Sequence, residues 1–142
     1  MKKIAVVFII LALLGLIDAT YLTVQHYRDV SVVCFVINTC DQVLQSSYAT
    51  VGSIPVSFFG VFYYLVISVL SLVSFVKKRD KLFFMTALLT VLGFIASLWF
   101  VYIQIFLIHS FCLYCLFSAL DSITLFILGI IFLLKSNTRR AS

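Results

Sequence analysis

Apolar residues run along this chain in four long blocks, separated by short polar stretches. The blocks cover residues 4–22, 54–76, 82–108 and 111–134. Runs of about 20 apolar residues are long enough to cross the hydrocarbon layer of a membrane as α-helices. The polar remainder is one long segment at 23–53, a basic turn at 77–81, a tight turn at His109-Ser110 and a tail, Lys135–Ser142. The pattern predicts an all-α membrane protein. Its architecture is a four-transmembrane-helix bundle, read as one domain over residues 1–142, with an outer loop that contains a short amphipathic helix.

That helix is expected in the long polar segment. Residues His26-Tyr27-Arg28-Asp29 suit the headgroup level. Residues 32–37 are mostly apolar, and Asn38-Thr39 suggests a turn. Asp41-Gln42-Val43-Leu44-Gln45 then reads as a short interfacial helix with Val43 and Leu44 turned inward. Gly52 and Pro55, the sole proline, mark the entry to the second long helix, where a missing N–H costs no helical hydrogen bond. Gly60 is placed to allow a close helix crossing.

Composition agrees with the hydropathy pattern. The chain is 64% hydrophobic and 11% charged, and its mean hydropathy is +1.24. A soluble domain of 142 residues cannot bury that much apolar surface. The formal charge of +5 would matter for nucleic acid only if it made a solvated face. Here the basic residues sit at helix ends instead. Lys2, Lys3, Lys77, Lys78, Arg79, Lys81, Lys135, Arg139 and Arg140 fall on one side of an even-helix topology, and Arg28 alone falls on the other. The positive-inside rule then places both termini in the cytoplasm and the 23–53 segment outside. Met1-Lys2-Lys3 before an apolar run also resembles a signal peptide. The poor cleavage context at Leu16-Ile17-Asp18-Ala19 favours an uncleaved first helix.

All four cysteines fall on the outer, oxidising side. Cys112-Leu113-Tyr114-Cys115 opens the fourth helix at its outer mouth, and Cys34 and Cys40 lie in the long segment. At i and i+3 on a helix, two sulfurs face the same way. The unpaired N–H groups and positive dipole end of a helix start favour thiolate. Such a pair suits thiol–disulfide exchange. A single cysteine would more simply be a small apolar packing residue. Cys34 and Cys40 can pair across a short loop, either as a static staple or as a second redox couple. A zinc site would need four converging thiolates, which an oxidising compartment opposes, so no metal is expected.

Two carboxylates lie inside the spans. Asp18 sits towards the outer end of the first, and Asp121 about 14 Å below Cys112 in the fourth. A carboxylate at that depth is costly unless paired, hydrated or protonated. It serves either a proton path or head-group wall, or a hydrogen bond to Ser97, Gln104 or Ser118 that orders the bundle. His109, three residues before Cys112, could assist deprotonation but reads more simply as an interfacial turn residue.

The ordered set of Cys34-x5-Cys40, Ser46-Ser47-Tyr48-Ala49, Gly52-Ser53-Ile54-Pro55 with Gly60, and Phe111-Cys112-Leu113-Tyr114-Cys115 resembles the bacterial vitamin K epoxide reductase homologues. The resemblance spans nearly the whole chain. It implies a four-helix bundle around a quinone of the menaquinone or ubiquinone type, capped by the outer loop. Cys112 and Cys115 would form the active-site disulfide, with Cys115 facing the quinone. Cys34 and Cys40 would be the shuttle pair, Cys40 meeting the partner and Cys34 passing electrons on. The family's loop serine maps to Ser46, with Ser47 the competing register. Val56 and Ala119 stand at about the positions where the vertebrate enzymes carry an asparagine and a tyrosine near the head group. The loss of those polar groups fits plain quinone reduction better than epoxide reduction. Many bacterial members carry a fused thioredoxin-like domain. This chain stops at Ser142, so the partner is expected to be a separate extracytoplasmic thioredoxin-like (DsbA-like) protein.

These features converge on a disulfide-generating thiol:quinone oxidoreductase of the bacterial plasma (inner) membrane. Its cysteines face the exoplasmic side. The alternative is a small transporter or structural subunit whose disulfides only staple its outer face.

Overall fold

The computed structural model describes residues 2–28, 40–77 and 79–141. Helix α1 runs Lys2–Arg28, and the short α2 is Cys40–Leu44. Two two-residue strands, β1 (Thr50–Val51) and β2 (Ile54–Pro55), pair antiparallel before α3 (Val56–Lys77). Helix α4 (Asp80–Ile103) continues as one π-helical turn, Gln104–Ile108, and α5 runs Leu113–Ala141. Four helices are long and apolar enough to span a membrane: Lys3–Arg28, Val56–Lys77, Lys81–Ile108 and Leu113–Lys135. The protein is a multi-pass membrane protein.

Helix ends differ from the hydropathy boundaries for local reasons. Helix α1 carries on to Arg28 through polar residues that hydropathy does not count but a helix accepts. Helix α3 begins at Val56 rather than residue 54, because Ile54 and Pro55 are used in the miniature hairpin. Gly52, at the tip of that hairpin, has φ 66°, a conformation that only glycine adopts without cost. The five-residue α2 lies where a short interfacial helix is expected. It starts at Cys40, with Val43 buried.

The bundle is a ring: α1 packs on α3 and α5, and α4 packs on α3 and α5. Gly60 sits at the α1–α3 crossing, where a Cβ would lie 3.4 Å from that of Ala19. Gly15, also on α1, leaves room for the Tyr64 ring from α3, which a Cβ would overlap. The end of the bundle remote from the cysteines is closed by aromatic rings. Phe83 lies 3.9 Å from Phe132 and 5.3 Å from Phe8, centroid to centroid. Most other apolar side chains point outward, Trp99 being 60% exposed, as suits a surface facing lipid tails. With the aromatic end filled, open space inside the bundle remains at the cysteine end.

Candidate active site

The α4–α5 connection builds the site. After the π turn, His109 adopts φ 53° and reverses the chain. The left-handed conformation of a non-glycine residue marks this as a tight, shape-determining turn. Single π turns inside α-helices often coincide with functional positions. Here the turn carries Gln104 inward, fully buried, where its Oε1 accepts a hydrogen bond of 3.0 Å from the backbone N–H of Cys112. Cys112 immediately precedes α5, so this N–H is one of the donors a helix start leaves unpaired. Its own carbonyl accepts from the N–H of Leu116 at 3.0 Å. Both ends of the Cys112 peptide unit are therefore held.

Cys112 is 0% exposed and Cys115 is half-buried one turn later; both are free thiols. The Cys115 thiol beside it holds the Cys112 thiol below its ordinary pKa. Burial opposes that shift, while the backbone N–H groups of Cys115 and Tyr114 reinforce it. The paired thiol, helped by the helix start, thus favours Cys112 thiolate.

Helix α2 closes over this pair. Cys40, 1% exposed, Val43 and Cys112 form one buried cluster, against which Leu44, Ile108, Tyr114 and Cys115 pack. A second tie fixes the lid: Ser110 Oγ donates to Gln42 Oε1 at 2.6 Å. Cys40 is itself disulfide-bonded. Cys34 lies outside the described residues, so the expected Cys34–Cys40 pairing does too. Cys40, the first residue of the lid helix, is thus buried against Cys112.

Below the cysteines lies a cavity of about 340 Å³, within the usual range for small-molecule sites. Cys115, Ala119 and Ser122, on one face of α5, form one wall. Val56, Gly60 and Tyr63 from α3 and Gly93 from α4 form others, and Ser46 closes the mouth. All four residues expected near a quinone, Cys115, Ser46, Ala119 and Val56, line this one cavity. Ser47, the competing register, is not among its lining residues. Ser46 Oγ is spent locally, donating to the carbonyl of Val43 at 2.7 Å.

Sequence reasoning missed the two tyrosines. Tyr64 donates to the Ser118 carbonyl at 3.1 Å, with the Ser118 hydroxyl 3.2 Å away, and Tyr63 packs edge-on against Tyr64. Their aromatic rings in an apolar run gave no signal to separate them from lipid-facing neighbours. Of the two intramembrane carboxylates, both are buried. Neither oxygen of Asp121 has a hydrogen-bond partner among the described residues, nor does Oδ2 of Asp18. The expected bonds from Asp121 to Gln104 or Ser118 do not form, because Gln104 caps Cys112 and Ser118 meets Tyr64.

With this arrangement in view, the chain matches the model of the vitamin K epoxide reductase family over residues 6–130. It belongs to that family. The match takes in α1, the lid, the hairpin, α3, α4 and the Cys112–Cys115 turn, so every element that builds the cavity is inside it. No curated protein matches the chain. Membership makes the chain a membrane thiol–disulfide oxidoreductase.

Proposed function

We propose that this vitamin K epoxide reductase homologue reoxidises a thioredoxin-like, DsbA-like partner outside the cytoplasm and passes the electrons to a membrane quinone. The observation that carries the reading is continuity. Cys40 packs in one buried cluster with Cys112, and Cys115, one turn on, reaches the cavity wall. Sulfur thus runs unbroken from the lid to an apolar chamber inside the bundle.

The chain's residues fit a quinone. The cavity is walled mostly by aliphatic and aromatic side chains, as a ring with a lipid tail requires. A few hydroxyl-bearing side chains, Ser57 and Ser97 among them, share that lining. A quinone bound there supplies a two-electron acceptor that diffuses in the bilayer. Every other part of the reaction is thiol exchange by the chain itself. A partner thiolate attacks the loop disulfide, forms a mixed disulfide and expels a loop thiolate. Resolution by the partner's second thiol releases the loop as a dithiol and the partner as a disulfide. A loop thiolate then attacks Cys112 of the Cys112–Cys115 disulfide, expelling Cys115 as thiolate at the cavity wall. The second loop thiol resolves that mixed disulfide, restoring the loop disulfide and freeing Cys112.

The burial of Cys40 beside Cys112 supports Cys40 as the loop thiol that hands electrons inward, which leaves Cys34 for the partner. The charge pattern supports the plasma membrane, with both termini cytoplasmic. Replacing each cysteine with alanine and following disulfide formation in an exported reporter tests the reading. Each variant is expected to lose reporter oxidation. Full oxidation by all four would leave a transporter or structural subunit with stapling disulfides. In the same set, Cys40→Ala should trap the partner on Cys34. An impermeant maleimide applied after reduction should label the loop thiols from outside the cell.

A further inference from the structure

Asp18 is the buried charged group that the sulfur relay leaves without a task. It lies in α1, ten residues and about 15 Å before the end of that helix. Only 8% of it is exposed, and its Oδ2 has no hydrogen-bond partner. Among the described residues no cation pairs with it. A carboxyl group kept inside a membrane in this way is costly as a bare charge, which points to a use.

The register of α1 against α5 shows what it lies beside. Three residues later in α1, the Tyr21 ring is 5.3 Å from that of Tyr114, centroid to centroid. Three residues earlier, Gly15 makes room for Tyr64, whose hydroxyl bonds the Ser118 carbonyl. Asp18 is therefore level with the stretch of α5 between Tyr114 and Ser118, which holds Cys115. Its charge is felt at Cys112, Cys115, Tyr114 and Asp121. At Cys112 the Cys115 thiol has the larger effect and favours thiolate, while a carboxylate at Asp18 opposes it. The remaining titratable neighbours are Tyr64, entering from α3, and Tyr21 on α1 itself. None of these groups is basic. Negative charge on the cysteine pair and on Asp18 at once is therefore disfavoured, and the two sites titrate as one system.

We propose that Asp18 is the proton acceptor that keeps the charge of the site constant while the Cys112–Cys115 disulfide is reduced. The loop dithiol brings two electrons and two protons. As the loop disulfide forms and the Cys112–Cys115 bond breaks, one proton stays on a thiol of the pair. The other moves to the Asp18 carboxylate, so the second sulfur remains thiolate. The site carries one negative charge before the step, on Asp18, and one after it, on sulfur. When the Cys112–Cys115 disulfide re-forms, the electron pair and both protons leave for the quinone, and Asp18 is again carboxylate. That return step rests on the quinone reading above.

The test uses the detergent-purified full chain with Cys34 and Cys40 replaced by alanine, so that this pair alone exchanges. It is equilibrated with reduced and oxidised glutathione from about pH 6.5 to 8, where glutathione stays largely protonated. With Asp18 present the equilibrium should not vary with pH, because the site takes up the two protons that glutathione gives up. In Asp18→Asn one proton is released instead. The equilibrium should then shift about tenfold per pH unit, towards the reduced pair at higher pH. Asp18→Glu should restore the flat profile. Infrared difference spectra on reduction should show a protonated carboxyl band that Asp18→Asn abolishes and Asp121→Asn keeps. Circular dichroism confirms that the variants fold. A flat profile in Asp18→Asn, with the carboxyl band unchanged, would overturn the proposal. No quinone is present, so that result would leave the quinone reading standing. A wild type whose reduced pair gives no electrons to a naphthoquinone methylated at both free ring positions would strike that reading and the return step together.

Discussion

The side-chain oxygen of Gln104 accepts a hydrogen bond from the backbone N–H of Cys112. The two residues belong to consecutive spans and are separated by a π turn and a left-handed His109. The bond ties the end of α4 to the start of α5 at the sulfur to which the proposed relay delivers electrons from the loop. Replacing Gln104 with leucine keeps the bulk but leaves that N–H buried and unpaired, a cost of about 1–3 kcal/mol. The expected result is a lower melting temperature and a slower exchange between the loop and Cys112. Gln104→Glu retains an acceptor and should recover much of the exchange rate. Stopped-flow exchange on the purified variants checks both.

The lid is held by a second bond of this kind. Ser110 donates to Gln42 at 2.6 Å, joining α2 to the segment just before Cys112. Ser110→Ala removes the donor and strands the Gln42 oxygen. The loss should be about 1 kcal/mol of lid closure. Cys40 would then spend more time away from the Cys112 cluster. Reaction of the loop with a soluble thiol should quicken, while transfer onward to Cys112 slows. Measuring the two half-reactions separately distinguishes this from simple unfolding, which would damage both.

The Cys112 thiol is held below its ordinary pKa chiefly by its neighbour Cys115. A lowered pKa means that thiolate accumulates at lower pH. With Cys34 and Cys40 replaced by alanine, ultraviolet titration of the remaining thiols should show its first midpoint below that of an ordinary cysteine. Adding Cys115→Ala removes the largest cause, so the Cys112 midpoint should rise. A midpoint that does not move would show that the helix start, rather than the paired thiol, governs the charge on Cys112.

Much of this site was legible in the residues. Cys112 and Cys115 are a local pair, and i, i+3 spacing on a helix settles their common face whatever the fold does. Ser46, Val56 and Ala119 came from resemblance, and they share one cavity with Cys115. Tyr63, Ser122 and the capping role of Gln104 were not legible. A helix in lipid is apolar on its outer face as well as its inner one, so hydropathy carries little periodic signal about which side turns inward. The π turn that aims Gln104 has no sequence signature of its own. Nor could spacing show that Cys40, at the start of the lid helix, is packed against Cys112.

The amino-acid sequence alone determined how many times the chain crosses and where each crossing lies. In hydrocarbon every backbone polar group must be satisfied within its own segment, so each long apolar run has only the helix available. It also determined that Cys112 and Cys115 stand one turn apart at a helix start. Tertiary structure decided the rest: which helix faces meet, where glycines let tyrosines enter, and where the packing stops short. Phenylalanine rings fill one end of the ring of helices, and the packing leaves a cavity at the other. The chamber beside Cys115 exists because of packing between helices, and no single span encodes it.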